Sequence, residues 1–293
     1  SFGVGEVGYL RDRPANADNT RVVDSYMLVP AAIRLIFTNK IVGFLQTVFD
    51  CTPMAFQGLN FEVGSEQAVH QDAAYVVVDR PGHFVAAWIA LEDISEGSGE
   101  LVYYPKSHRF PPYLYTDQSF HWNPIRDGQE LHSQHLNWLH EEAGRQSIAI
   151  QRFVPKKGDV LIWHSGLAHG GGPRTNRDLS RKSLVIHYCP EKNVPHYFAS
   201  VPSVNRIPLQ CEQGSLSSYY YDLEKAQRKI TTSEVPVARR AASTEFDEAF
   251  YTNANPDVSE AVKLGTYVNG RHHYEVAGRY EGRAPYDPEK SYS

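Results

Sequence analysis

His70-Gln71-Asp72 sets an imidazole and a carboxylate at positions i and i+2, and on an extended strand those two side chains point to the same face. A second imidazole, His169, follows the apolar run Val160-Leu161-Ile162-Trp163 and opens a glycine-rich exit, Gly170-Gly171-Gly172. Two imidazoles and one carboxylate on one side of a divalent ion leave its other positions open. That donor set suits Fe(II) with an oxidant and a cosubstrate, and zinc accepts it for hydrolysis. His164, five residues before His169, competes as the distal ligand, but it sits inside the apolar strand rather than at its glycine-rich end.

Downstream, Arg181-Lys182-Ser183 leads into the apolar strand Leu184-Val185-Ile186-His187-Tyr188. Arg181 and Ser183 share a strand face, and a guanidinium beside a hydroxyl is well made to hold a buried carboxylate in bidentate fashion. The distal end of 2-oxoglutarate asks for such a partner. His187 lies on the same face and is either a cavity residue or a satisfied core histidine. Tyr75, Trp88 and Trp163 are candidates to line a pocket, weighed against the ordinary core role of aromatic residues in apolar strands.

The elements that position these residues read as mainly β. Short alternating or fully apolar runs near 55–63, 68–78, 83–91, 100–104, 146–154, 159–164 and 181–189 are divided by turns at Glu96-Gly97-Ser98-Gly99 and Lys156-Lys157-Gly158-Asp159. Many short strands without intervening helices predict an antiparallel sandwich or barrel. Ahead of them, Ile33, Ile36, Phe37, Ile41, Phe44, Leu45 and Val48 recur at helical spacing behind Pro30, as one amphipathic helix or two broken near Asn39. Residues 106–145 interrupt the β rhythm and are expected to be an insertion that selects substrate, carrying His121, Trp122 and Trp138. A helix is expected around 219–229. Domain boundaries are expected at 1–240 for the main domain and 241–293 for a small helical appendage.

With 41% hydrophobic and 22% charged residues, the 293-residue chain has the composition of a folded globular protein. A formal charge of −5 without a dense basic block argues against a nucleic-acid partner and for a small-molecule one. The three cysteines, Cys51, Cys189 and Cys211, lack CxxC spacing, which fits a reducing, cytoplasmic setting. Neither a membrane-spanning apolar run nor a signal-peptide pattern is visible.

Four motifs occur in order: His70-Gln71-Asp72-Ala73-Ala74-Tyr75, then Trp88 to Asp93, then Gly99 to His108, then Gly158 to Gly172 with Arg181-Lys182-Ser183-Leu184. Together, from about residue 30 to about 200, they resemble the phytanoyl-CoA dioxygenase family. The resemblance implies a double-stranded β-helix, or jelly roll, with flanking helices. It also implies Fe(II) held by His70, Asp72 and His169, and 2-oxoglutarate anchored by Arg181. By the same likeness Gln57 is a cosubstrate contact and Ser183 supports Arg181. The implied reaction uses O₂ and 2-oxoglutarate to hydroxylate an unactivated C–H bond. A halogenase is disfavoured because Asp72 fills the position a halide would need; a desaturase and a non-catalytic jelly-roll binding module remain alternatives. Two departures stand out: Lys106 where glycine is usual, and Gly171 where serine is common. The tail, with Asn255-Pro256-Asp257, Gly265, Gly270 and Glu281-Gly282-Arg283, is similar to a short module at the ends of varied bacterial proteins, some linked to glycans. It suggests a bacterial source and a glycan-related setting; the expected substrate is a small molecule such as a glycan or a biosynthetic intermediate.

Overall fold

The computed structural model describes residues 21–195, 208–218, 220–221, 246–264, 267 and 269–274. The chain divides into two compact units, Ser1–Val237 and Ala238–Ser293.

In the first unit, Pro30 occupies the first turn of α1 (Pro30–Ile36), where its missing N–H costs nothing and its fixed φ favours the helix. The helical pattern continues as α2 (Asn39–Phe49) after a break at Phe37 and Thr38, so the two-helix reading holds. Ile33, Ile36, Ile41, Val42, Leu45 and Phe49 form the buried stripe. Among the described residues no single helix is long and apolar enough to cross a membrane.

The strands are β1 (Arg21–Val23), β2 (Pro53–Phe61), β3 (Val85–Ala90), β4 (Leu101–Tyr103), β5 (Gln151–Phe153), β6 (Val160–His164), β7 (His169–Gly171), β8 (Ser183–Pro190), β9 (Leu209–Gln210) and β10 (Ser215–Leu216). They form a larger sheet in the order β6-β3-β8-β2-β10-β9, with β1 on β2, and a smaller sheet in the order β5-β4-β7. Every residue of β3 and β8 is buried, because both faces of the larger sheet are covered. On one face Ala55, Ala87, Ile186 and Tyr188 pack against Ile36 and Leu45 of the helices. On the other, Trp88, Trp163 and Val185 pack with Leu101 of the smaller sheet. The architecture is mainly β with flanking helices, a jelly roll, and the face between the sheets is where the candidate residues lie.

The expected strand at 68–78 does not form. His70 makes one isolated bridge to His169, and Asp72–Ala74 is a 3-10 turn closed by the Tyr75 N–H donating to the Asp72 carbonyl at 2.9 Å. Among the described residues the segment pairs only at two isolated points, His70 with His169 and Val78 with Pro195, and local turn bonds take the place of a ladder. The insertion contains a long helix that its mixed polarity concealed, α3 (Gly128–Arg145), with His135, Leu139 and Ala143 buried. Apart from Tyr220 and Tyr221, the segment expected to be helical at 219–229 lies outside the described residues.

The backbone at Lys106 shows why glycine is usual at that position. It stands at φ 66°, ψ 2°, in the left-handed region where glycine carries no Cβ penalty. Lys106→Gly is expected to stabilise the protein by about 0.5–1 kcal/mol, the strain relieved less the extra chain entropy lost. An unchanged or lower denaturant midpoint for that variant would show the turn to be unstrained.

In the second unit α4 (Glu248–Ala254), α5 (Pro256–Lys263) and α6 (Gly270–His273) pack around Tyr251 and Val258. Asp247 caps α4 by accepting the Phe250 N–H at 2.8 Å. The Glu248 carboxylate accepts the N–H groups of Gly270 and Arg271, tying α4 to the start of α6.

Candidate metal centre

Two segments far apart in sequence meet through several backbone hydrogen bonds, among them a reciprocal pair at the two histidines. The His70 N–H donates to the His169 carbonyl at 2.8 Å, and the His169 N–H donates to the His70 carbonyl at 2.9 Å. Glycines permit this approach. A Cβ on Gly170 would lie 2.7 Å from the Gln67 carbonyl oxygen, and one on Gly171 would lie 2.8 Å from the Glu66 nitrogen. A serine at 171 therefore has no room while residues 65–67 hold their course.

The tautomer of each imidazole follows from its partner. His70 Nδ1 is 2.8 Å from the Ala68 carbonyl and His169 Nδ1 is 2.9 Å from the Leu167 carbonyl. A carbonyl oxygen only accepts, so each Nδ1 carries the proton and each Nε2 presents a lone pair. Both Nε2 atoms are 3.7 Å from Asp72 Oδ1, and one ligand atom from each of the three buried residues falls within 4.8 Å of the others. The second carboxylate oxygen, Oδ2, accepts the Trp163 Nε1–H at 2.8 Å and lies 3.3 Å from His187 Nε2. Oδ1 is thereby left to face the imidazoles.

The electrostatics suit a cation. Burial opposes ionisation of Asp72, but the neighbouring imidazoles of His169 and His187 outweigh it and hold the carboxyl well below its usual range. Burial pushes His169 down to about 4 against the pull of Asp72, so at neutral pH its ring is uncharged and ready to ligate.

Beside this cluster, between the sheets, is a pocket with an open space of about 450 Å³ that Trp88, Leu101 and Val185 help to line. Arg181 lines it too, only 2% exposed, its guanidinium over the rings of Phe61 at 5.0 Å and Trp88 at 5.6 Å. Among the described residues its Nε has no hydrogen-bond partner and no carboxylate pairs with it. Burial and nearby Arg21 lower its pKa to about 10, so it remains a cation at neutral pH. Among the described residues the Ser183 hydroxyl and the Trp88 indole N–H are also buried without partners. A buried, unpaired cation beside orphaned donors fits a carboxylate ligand, and the three-residue cluster fits iron.

The other expected residues are placed as follows. Ser183 stands on the pocket face by register but does not line the pocket. Gln57 pairs across β8 with His187 and likewise stays off the lining. Gln67, which sequence reasoning missed, lines it instead. Its only local signal was an amide three residues before His70. Tyr75 also stays off the lining: its ring stands edge-on to His70 at 5.4 Å, and its hydroxyl meets His132 Nε2 of α3 at 2.6 Å. His187 belongs to the pocket rather than to the core alone. His164 is exposed, accepts the Gly166 N–H at 3.0 Å and stands outside the cluster. His108 lies in a 3-10 turn, and its neighbour Ser107 accepts the Ala168 N–H at 2.7 Å, anchoring the approach to β7.

Comparison with known proteins decides the family. The model described as phytanoyl-CoA dioxygenase matches residues 37–183, half of the chain. The chain belongs to the phytanoyl-CoA dioxygenase family. A phytanoyl-CoA dioxygenase domain-containing protein 1 homolog of Caenorhabditis elegans is 22% identical over 57% of this chain and 57% of its own length. The peroxisomal phytanoyl-CoA dioxygenase of Bos taurus is 27% identical over 42% of this chain and 34% of its own. The chain thus spans about a third to just over a half of these phytanoyl-CoA dioxygenase relatives. Among solved structures it is similar to the non-heme alpha ketoglutarate dependent carbocyclase SnoK, at 17% identity and a TM-score of 0.47, over 59% of this chain and 64% of that one.

Proposed function

We infer that this chain is an Fe(II)- and 2-oxoglutarate-dependent oxygenase that hydroxylates an unactivated C–H bond of a small molecule. The observation that carries the reading is the meeting, in one pocket, of the His70–Asp72–His169 cluster with an unpaired buried guanidinium. His70 and His169 would hold iron through Nε2 and Asp72 through Oδ1, while Trp163 and His187 steady the other carboxylate oxygen. Arg181, with Ser183 beside it, would take the distal carboxylate of 2-oxoglutarate. Trp88, Leu101 and Val185 keep that part of the pocket apolar. When bound, iron supplies the oxygen activation that no side chain here can perform. The balanced outcome is 2-oxoglutarate, O₂ and R–H going to succinate, CO₂ and R–OH. The Tyr75–His132 contact brings α3 of the insertion close to His70, which supports residues 106–145 as the part that selects R–H.

The test is anaerobic loading with Fe(II), addition of 2-oxoglutarate and O₂, and measurement of succinate with and without panels of acyl-CoAs, amino acids, sugars and natural-product precursors. Succinate that requires both O₂ and Fe(II) is expected. Turnover that needs neither, or hydrolysis by the zinc-loaded protein, would replace this reading with a hydrolytic one. We place the chemistry in residues 1–240, so a chain ending at residue 240 is expected to retain succinate formation per metal bound at a temperature where it is folded. A folded, metal-loaded but inactive truncation would mean that the tail completes the site.

A further inference from the structure

His132 and His135 lie one turn apart on α3, and each reaches one end of the short segment, 71–75, that carries Asp72. At the far end the Tyr75 hydroxyl meets His132 Nε2 at 2.6 Å. At the near end Gln71, the residue between two of the ligands, sets its Oε1 3.4 Å from His135 Nε2. The directions of these bonds follow from one carbonyl. Gly166 O only accepts, so the Gln71 NH₂ donates to it, at 2.6 Å, and Oε1 is left to accept the His135 Nε2–H. His135 Nδ1 is then a lone pair and accepts the Tyr115 O–H at 2.6 Å. Burial pushes His135, 2% exposed, down to about 4, so at neutral pH its ring is uncharged and keeps this tautomer. A stacked ring steadies each imidazole, Tyr113 on His135 at 4.6 Å and Trp122 on His132 at 4.4 Å. The Trp122 N–H also donates to the Ala74 carbonyl at 3.0 Å.

The same helix backs the two ligand imidazoles. Leu139 and Ala143 share one buried cluster with Val69 and Ala168, the residues immediately before His70 and His169. Each of the three ligands therefore has a chain neighbour tied to α3, by apolar packing or by a hydrogen bond. A lid that only covers the pocket needs none of these ties. We propose that α3 is a buttress of the metal centre, with His132 and His135 as its positioning residues, so that the segment read as the selector of substrate also sets the geometry of the metal ligands. The proposal rests on the reading of His70, Asp72 and His169 as a metal centre, and is independent of the reaction that the metal serves.

The experiment titrates the full-length protein with Co(II), whose visible bands report the arrangement of its ligands. Affinity and spectrum are both recorded at a temperature where every variant is folded. His135→Phe keeps a ring against Tyr113 but has neither donor nor acceptor. It is expected to weaken Co(II) by about tenfold, the lower end of what losing a ligand's supporting partner costs, and to shift the bands. Tyr75→Phe removes a single oxygen and should shift both readouts in the same direction by less; it serves if His135→Phe folds poorly. His135→Gln, which keeps a donor near the reach of Nε2, should recover part of the affinity. Gln134→Gly is the control for a merely structural role, because it lies on the exposed side of α3 and loosens the helix without touching 71–75. It should lower the melting temperature and leave Co(II) affinity and spectrum near those of the parent. Parent-like affinity and spectrum in both His135→Phe and Tyr75→Phe, or an equal loss in Gln134→Gly, would overturn the buttress. If the parent itself binds no Co(II), the metal-centre reading fails and this inference fails with it.

Discussion

Alanine at His70, Asp72 or His169 is expected to weaken Fe(II) binding by about a hundredfold or more and to abolish turnover. Loss of groups that merely support metal ligands already costs about 10–100-fold, and these variants remove a ligand atom outright. Each loss leaves two protein donors where three had converged, and a single position cannot be replaced by a neighbour. His187, the next imidazole, already faces Asp72 Oδ2 rather than the shared centre. Asp72→Asn is the most telling variant: its shape is kept while the negative charge among the imidazoles is lost. His164→Ala is the internal control, because that side chain is exposed and its ring serves the Gly166 N–H. Anaerobic titration with Fe(II), followed by metal analysis of the folded protein, reads out all five variants. A stronger loss in His164→Ala than in His169→Ala would move the distal ligand to residue 164.

Arg181→Ala should raise the dissociation constant for 2-oxoglutarate by about thirty-fold to several thousand-fold, corresponding to about 2–5 kcal/mol for truncating one partner of a buried, hydrogen-bonded charge pair. The upper part of that range is favoured by the setting. The guanidinium is 2% exposed and already stripped of water, so the ligand need not cover its desolvation a second time. Arg181→Lys should recover only part of the affinity, because a compact ammonium cannot reproduce a planar fork or its stacking on Phe61 and Trp88. Iron affinity is expected to hold in both variants. A thermal scan gives an independent reading: saturating 2-oxoglutarate should raise the melting temperature of the parent by mass action and leave that of Arg181→Ala almost unmoved. An unchanged cosubstrate affinity in the alanine variant would sink the assignment.

Much of the site could be read from spacing, though not always for the reason the spacing suggests. His70 and Asp72 do lie side by side, yet they are not on a strand; one backbone bridge and a 3-10 turn produce the same juxtaposition. Arg181 was legible because the strand that follows is apolar except at His187, which marks a buried element, whereas Ser183, on the same face by register, stays off the pocket lining. Gln57 and Gln67 show where local reading stops. Both are amides near the metal motif, and only the path of the chain around Gly170 and Gly171 decides which one enters the pocket. The hydrogen bond from Trp163 to Asp72 is a tertiary fact of the same kind: residue type made Trp163 a wall candidate, but nothing local identified its indole N–H as the partner of a carboxylate. α3 escaped notice because its buried face, His135, Leu139 and Ala143, is narrow in a helix that is otherwise polar.

The reciprocal backbone bridge between His70 and His169 has a consequence for the order of events in the life of the protein. Metal sites assembled from loops gain their shape from the ion, and their chains often unfold when it leaves. Here the entropy of bringing two remote segments together is lost on folding, since two peptide hydrogen bonds and the glycine contacts beneath them hold the imidazoles adjacent before any ion arrives. Folding should therefore come first and loading second. The ion could then be withdrawn by a chelator and replaced by another divalent metal without passing through the unfolded chain, and the amides of His70 and His169 should stay protected from hydrogen exchange in the metal-free protein.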